Sequence, residues 1–236
     1  MGSSLIIADL HLVSGEVEKT KIFVDFCQNQ AAKVDQLFIL GDLFNTWLGD
    51  DLSIDYYPQV IQALKTLSQN TQIKVMSGNR DFLMGQDFEA KTGCELIKEP
   101  YFFEQGNQQF VLMHGDALCT DDSDYQRLKK VLQHPLTKFV FLRLPKKIRL
   151  RLAGQLRQKS VKAQQYKSRE IMDVNPDSVN DLMNKYPGAD LIHGHTHRQK
   201  THEGDDFRRY VLGDWSSEKG NAIKIDSELT WLEINA

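Results

Sequence analysis

The chain opens with a short apolar run at residues 5–8, Leu-Ile-Ile-Ala, which stops at a carboxylate, Asp9. Unbroken apolar runs of this length predict strands buried on both faces. The same form recurs at residues 37–40 and 110–113, and runs with one or two polar residues read as strands at 73–76 and, after residue 172, at 189–193 and 209–212. Two further short β pieces are expected at 222–225 and 230–234. Apolar positions fall at helical spacing in between. Ile22, Phe23 and Phe26 share a face within 16–33, Val60, Ile61, Leu64 and Leu67 repeat at that spacing, and a third helix is expected over 177–185. Strand alternating with helix predicts a layered α/β fold whose strands are covered on both faces or packed sheet on sheet.

Residues 121–172 break this rhythm. No Asp or Glu occurs from Tyr125 to Arg169, yet the stretch holds 14 of the chain's 29 Lys and Arg. The remainder therefore carries 15 basic residues against all 32 acidic ones, and a formal net charge of −3 conceals two regions of opposite sign. That acidic balance argues against a protein that simply coats nucleic acid. Phe139, Val140, Phe141, Leu142, Leu144, Ile148, Leu150, Leu152 and Leu156 are interleaved with the cations, and the pattern predicts helices broken at Pro135 and Pro145. A nucleic-acid face, a membrane-surface element and a solvated helix pair all remain open. Solvated pairs mix signs, and single-strand binding wants aromatic stacking platforms. Leu and Phe opposite Lys and Arg suit an anionic membrane surface. The expected organisation is a core of 1–120 with 173–236 and a basic amphipathic helical insertion at 121–172.

Apolar residues at 41% support a sizeable core, and charged residues at 26% exclude wholesale disorder. Cys27, Cys94 and Cys119 are scattered, which argues against a disulfide framework or a cysteine metal site and for a reducing compartment. The opening residues lack a basic leader region, and no apolar run approaches the roughly 18–20 residues that span a bilayer. A cytoplasmic protein that touches a membrane surface is expected.

The chemistry lies where the apolar runs stop. The first run meets Asp9-x-His11, the second Gly41-Asp42, the third Gly78-Asn79-Arg80-Asp81 and the fourth His114-Gly115-Asp116; the run at 189–193 meets Gly194-His195-Thr196-His197. Each motif alone carries little, since Asp and Gly crowd any turn. Ligands in α/β sheets gather beyond the carboxyl ends of strands, so the five together should converge on one crevice. Asp9, Asp42, Asn79, His11, His114, His195 and His197 form a mixed N and O donor set that suits Mn, Fe or Zn better than Ca or Mg. Seven donors exceed one tetrahedral ion and fit two divalent ions sharing a carboxylate. Such a pair can activate water and neutralise a phosphoryl oxygen. Gly41, Gly78, Gly115 and Gly194 are read as permitting the tight turns. His134 and His202 are expected at the surface, and His193 as packing at a strand end.

These motifs resemble the signature of the calcineurin-like metallophosphoesterases over the whole α/β portion. The resemblance implies an αββα sandwich of two mixed sheets flanked by helices, with the insertion as a helical cap. It also implies Asp9, His11 and His197 on one metal, Asn79, His114 and His195 on the other, and Asp42 bridging. Many members have His where this chain has Arg80. Arginine cannot donate a proton at neutral pH, but its fork can clamp a phosphate, which suits pyrophosphate cleavage, where the leaving group needs little protonation.

Arg80 and the basic insertion together resemble the UDP-2,3-diacylglucosamine diphosphatases of lipid A biosynthesis. That resemblance implies a manganese-dependent hydrolase, peripheral on the cytoplasmic side of the bacterial inner membrane. Its substrate is UDP-2,3-diacylglucosamine and its products are UMP and 2,3-diacylglucosamine 1-phosphate. Asn79, Arg80 and His195 are the implied catalytic contacts. Asp122, Ser160, Lys167 and Gln164, the last standing where the family has Asn, are implied substrate contacts. Tyr125, Arg149 and Arg157 are further candidates, and Asp116 is expected to orient His114 or its loop. No nucleic acid and no obligate protein partner is implied. The alternatives are a metallophosphoesterase acting on nucleic acid, cyclic nucleotides or phosphoproteins, and a non-catalytic binding module, the latter set against a full complement of seven ligands.

Overall fold

The computed structural model describes residues 2–165, 171 and 173–235. Along the chain come β1 (Ser4–Ile7), α1 (Val17–Asn29), β2 (Gln36–Leu40), the short α2 (Asp50–Ser53), α3 (Pro58–Leu67) and β3 (Gln72–Met76). Next are α4 (Gln86–Thr92), β4 (Glu95–Ile97), β5 (Tyr101–Gln105) and β6 (Gln108–Met113). Three helices follow, α5 (Ser123–Leu132), α6 (Pro135–Arg143) and α7 (Lys146–Gln165). The chain then runs through α8 (Pro176–Met183), β7 (Asp190–His193), β8 (Lys200–Glu203), β9 (Arg208–Val211), β10 (Lys219–Ile225) and β11 (Leu229–Asn235).

The strands form two mixed sheets. The first has the order β11-β10-β1-β2-β3-β4, with β1 to β4 parallel and β10 antiparallel to both neighbours. The second has the order β5-β6-β7-β9-β8, parallel at its centre and antiparallel at both edges. Side chains alternate between the faces of a strand, so each apolar run serves two layers. Ile6, Ala8, Phe38 and Leu40 pack between the sheets against Phe110, Leu112, Ile192 and Leu212. Leu5, Ile7, Leu37 and Ile39 point the other way, onto Ile22, Phe23 and Phe26 of α1 and Val60, Ile61 and Leu64 of α3. Val111, Met113 and Leu191 meet Val179 and Met183 of α8 on the far side. The result is the expected αββα sandwich. Each fully buried Leu, Ile or Phe contributes roughly 1.5–3 kcal/mol.

Helix starts follow the residues that favour them. Pro58, Pro135 and Pro176 each occupy a first-turn position, where proline's missing N–H costs nothing. Pro135 thus opens α6, and the break at Pro145 separates α6 from α7. Asn175 caps α8 by accepting from the Ser178 N–H at 3.0 Å.

The three helices between β6 and α8 differ from the rest. Neither α5 nor α6 buries a residue, and among the described side chains of α7 only Arg149 is buried. Among the described residues no helix is long and apolar enough to cross a membrane.

Candidate metal centre

Asp9 and His11 follow β1, Asp42 follows β2 and Asn79 follows β3. His114 follows β6, and His195 and His197 follow β7. Both sheets therefore deliver these side chains from their carboxyl edges into one crevice. Backbone bonds tie the loops together: Asp9 N–H to Gly41 O at 3.2 Å, His11 N–H to Asp42 O at 2.8 Å and Gly194 N–H to His114 O at 3.0 Å.

The backbone marks the same residues. Among the described residues, the non-glycine positions with positive φ are Asp9 (54°), His11 (48°), Asp42 (52°), His195 (66°) and His197 (57°). All five are predicted ligands. Each such position costs about 1–3 kcal/mol and persists only where its surroundings over-determine it, a pattern that collects at functional sites. Gly194 and Gly78 serve by close approach, because a Cβ on either would run into the carboxylate of Asp9 or Asp42 respectively.

His11 Nε2 and His197 Nε2 face each other at 3.0 Å, and Asp9 Oδ1 lies 3.5 Å from His197 Nε2 and 3.9 Å from His11 Nε2. Asp42 spans the gap, with Oδ2 3.7 Å from His11 Nδ1 and Oδ1 3.9 Å from His114 Nε2. Asn79 Oδ1 is 3.2 Å from His114 Nε2, and the His114 and His195 rings are 5.0 Å apart. Ligand atoms of Asp9, His11 and His197, and separately those of Asp9, Asp42 and His114, lie within 4.8 Å of one another. His114 Nδ1 donates to Leu40 O at 2.9 Å, which leaves Nε2 free to act as a donor to a metal.

The electrostatics of the crevice favour bound cations. Burial, with the neighbouring Asp81 and Asp9 carboxylates, pushes Asp42 up to about 7 against the opposing pull of His114. Burial also pushes Asp81 up to about 6, although the Gly78 and Phe44 N–H groups donate to it. Burial works against Asp9 ionisation as well, but the nearby His197, His114 and His11 imidazoles hold its carboxyl below the usual range. Burial drives His11 down to about 3, assisted by the Arg80 charge, and His195 down to about 3, assisted by His114. Asp9 Oδ1 and His11 Nδ1 are buried without a hydrogen-bond partner. The neutral imidazoles of His11 and His195, crowded carboxylates and orphaned donor atoms fit divalent cations.

Arg80 lies at the rim. Its N–H donates to Asp42 Oδ1 at 2.9 Å, and its Nε stands 3.4 Å from Asp42 Oδ2. Asp116 is buried and accepts from Tyr125 Oη at 2.7 Å and Lys129 Nζ at 2.8 Å, so it ties the His114 loop to α5. Lys129 in turn reaches Glu99, whose carboxylate accepts from the His114 N–H at 3.0 Å. The Tyr125 ring stacks over His195 with centroids 6.2 Å apart.

The predicted substrate contacts are spread along the insertion. Asp122 is the N-cap of α5 and accepts from the Tyr125 N–H at 3.1 Å. Ser160 is exposed on α7, and Gln164 sits in its last turn; the Gln164 side chain and Lys167 lie outside the described residues. Arg149 is not at the crevice. It is 2% exposed, bonds Leu48 O at 2.7 Å and forms an ion pair with Asp51, which makes it an anchor for α7. His193 is buried at the end of β7, and its Nε2 accepts from Arg209 at 3.2 Å. His134 is exposed as the N-cap of α6, and His202 is half-buried on β8.

Sequence reasoning gave no role to three residues here. Asp81 is the buried acceptor under the loop after β3, and Asp214 Oδ2 lies 3.7 Å from His197 Nδ1. Asn45 accepts from Arg80 Nη1 at 2.7 Å. Asp81 stood in a quoted motif, whereas nothing local in the sequence marks the other two.

With crevice and fold in place, the class is defined. The family model of the calcineurin-like phosphoesterases matches residues 3–199, and the chain belongs to that family. Within it, the chain is 41% identical over 231 residues to UDP-2,3-diacylglucosamine hydrolase of Chromohalobacter salexigens, covering 96% of this chain and 94% of the relative. It is 41% identical to the same-named protein of Pseudomonas entomophila, covering 95% of each chain, and 40% identical to that of Haemophilus influenzae, covering 96% of each. The UDP-2,3-diacylglucosamine hydrolases are thus the branch of the family in which this chain falls.

Proposed function

We propose that the protein hydrolyses the diphosphate of UDP-2,3-diacylglucosamine to UMP and 2,3-diacylglucosamine 1-phosphate, using two manganese ions at a membrane surface. The observation that carries this reading is the coincidence of the strained positions with the predicted donors: Asp9, His11, Asp42, His195 and His197. The names and full-length similarity of the relatives support the substrate.

Asp9, His11 and His197 would hold one ion, Asn79, His114 and His195 the other, and Asp42 would be shared. When bound, such a pair supplies a nucleophilic water at neutral pH and offsets charge on phosphoryl oxygens. Asn79, Arg80 and His195 orient the phosphate that carries uridine. Arg80 remains charged throughout and moves no proton; the departing sugar phosphate is already a stable anion. Residues 1–120 with 173–236 act as the catalytic core and 121–172 as a cap, with Asp122, Ser160, Gln164 and Lys167 as further substrate contacts.

The cap's apolar side chains support the membrane reading. Leu136 is 64% exposed, Val131 60% and Phe139 52%, on helices that also carry Lys130, Lys138 and Arg143. The test is incubation with UDP-2,3-diacylglucosamine and manganese in oxygen-18 water. Release of UMP carrying the label supports attack at the uridine-bearing phosphorus. Label in the sugar phosphate overturns that assignment, and no cleavage overturns the reading.

A further inference from the structure

The loop after β2 holds a residue that joins the core to the insertion at the crevice. The side-chain oxygen of Asn45 accepts from Arg80 Nη1 at 2.7 Å and from Arg157 Nη2 at 3.1 Å. Arg157 Nη1 also reaches the Asn45 carbonyl at 3.4 Å. One guanidinium comes from the loop after β3 and the other from α7. Asn45 itself is pinned: its N–H donates to Leu12 O at 2.9 Å, and Thr46 Oγ1 donates to its carbonyl at 2.7 Å. The Trp47 N–H holds Arg80 O at 3.2 Å, so the same loop fixes Arg80 at both ends.

Two guanidiniums that share one oxygen repel each other. Burial and the Arg80 charge both hold Arg157 below its ordinary value. The acceptor between them is a neutral amide, which sets their spacing without cancelling either charge. A carboxylate would set the same spacing and remove one unit of positive charge. A pair of forks mounted this way matches a ligand with two linked anionic groups, each fork taking one.

We propose that Asn45 is a positioning residue that mounts Arg80 and Arg157 as a pair, so that core and α7 together grip the two phosphates of a diphosphate. The proposal rests on the function proposed above. It is tested on the full chain with Asn45→Ala, Asn45→Asp, Arg157→Ala and the Asn45→Ala/Arg157→Ala double variant. Three quantities are read: KM and kcat for UDP-2,3-diacylglucosamine, metal content, and the Kd for inorganic pyrophosphate measured by calorimetry before metal is added.

Asn45→Ala should raise KM and the pyrophosphate Kd about tenfold, the worth of one charge-assisted hydrogen bond, with metal content unchanged. Asn45→Asp should weaken pyrophosphate binding at least as much, although it keeps the acceptor. The double variant should lose clearly less than the product of the two single losses, because both substitutions remove the grip of Arg157. Wild-type pyrophosphate binding in Asn45→Ala, rescue by Asn45→Asp, or multiplicative losses in the double variant would each overturn the proposal. A wild-type protein inert toward the lipid nucleotide sinks the proposed function instead, and the pyrophosphate measurements still decide the role of Asn45.

Discussion

The crevice and the basic insertion solve opposite problems. In the crevice, ionisable side chains are buried and the backbone is strained around them: Asp9, Asp42 and His114 are essentially without solvent contact. In the insertion most apolar side chains are outside, although Phe141 packs against the core. Ten of the fifteen exposed large apolar residues in the described part of the chain lie between Leu128 and Leu156. Its cations, meanwhile, reach inward: Lys138 Nζ donates to Phe82 O at 2.9 Å, Lys146 Nζ to Asp51 O at 2.6 Å and Arg149 Nη1 to Leu48 O at 2.7 Å. An ordinary surface helix buries its apolar stripe and solvates its charges. Here charge fastens the insertion to an acidic core, and the apolar face is left for something other than folding.

The sharpest way to break this comparison is to remove a donor from the crevice. His197→Ala takes away one of three side chains whose ligand atoms lie within 4.8 Å of each other. Turnover should fall to background and bound metal should drop, as read by hydrolysis assay and elemental analysis. Full metal content in that variant would mean that the cluster does not hold the ion. On the proposed function, Arg80→Ala removes a contact to phosphate rather than to metal. It should lower kcat by roughly 10²–10³-fold, the usual loss for one electrostatic contact in a transition state, with metal content intact; loss of metal would reassign Arg80 to the structure of the centre.

How much of this was legible depended on burial. β1, β2, β3 and β7 are covered on both faces, so their largely apolar runs stand out. The edge strands β4, β5 and β8 did not stand out, because an edge needs no such run. β8 reads Lys-Thr-His-Glu, with no large apolar residue. In β5 only Phe103 and Gln105 are buried, in alternation, and the Gly106-Asn107 turn into β6 was a hairpin signal left unused. The seven side chains that meet at the crevice are legible because a strand end announces each one. Asn45 was not, since its partner Arg157 lies 112 residues away. The sign of the insertion was legible too, but not its division of labour. Arg149 reads from the sequence as a candidate substrate contact, and only the fold shows it buried against Asp51.

The next effect is a graded one. Burial, with Asp81 and Asp9, pushes Asp42 up to about 7 against the pull of His114. Burial works against the charge on His114, but Asp42, Asp116, Asp9 and Glu99 raise it to about 9. Both groups must lose a proton to bind a cation, so protons and metal compete. Affinity for a divalent ion should therefore rise with pH, by about tenfold per unit for each proton displaced, and level off above the value of His114. Titration of manganese into chelated protein across this range, with proton release followed in weak buffer, measures it. Affinity that is flat or falls with pH would show that these two groups do not face the ion.

The smallest effect on the fold separates the two regions most cleanly. Leu136 and Phe139 lie on α6, which buries nothing, so Leu136→Ser with Phe139→Ser removes no core contact. Exposed substitutions of this kind stay within about 0.5 kcal/mol, so the thermal midpoint should not move, and neither should metal content. If the outward face engages lipid, each lost side chain should weaken binding to anionic phospholipid vesicles by a few-fold to about tenfold, since roughly 25 cal/mol is lost per Å² of apolar surface no longer withdrawn from water. Turnover of a soluble aryl phosphodiester should be unchanged, because the crevice is untouched. A lower midpoint with unaltered vesicle binding would reverse the contrast: the apolar face would then belong to the fold, and the inward cations would be the surface that happened to find acceptors.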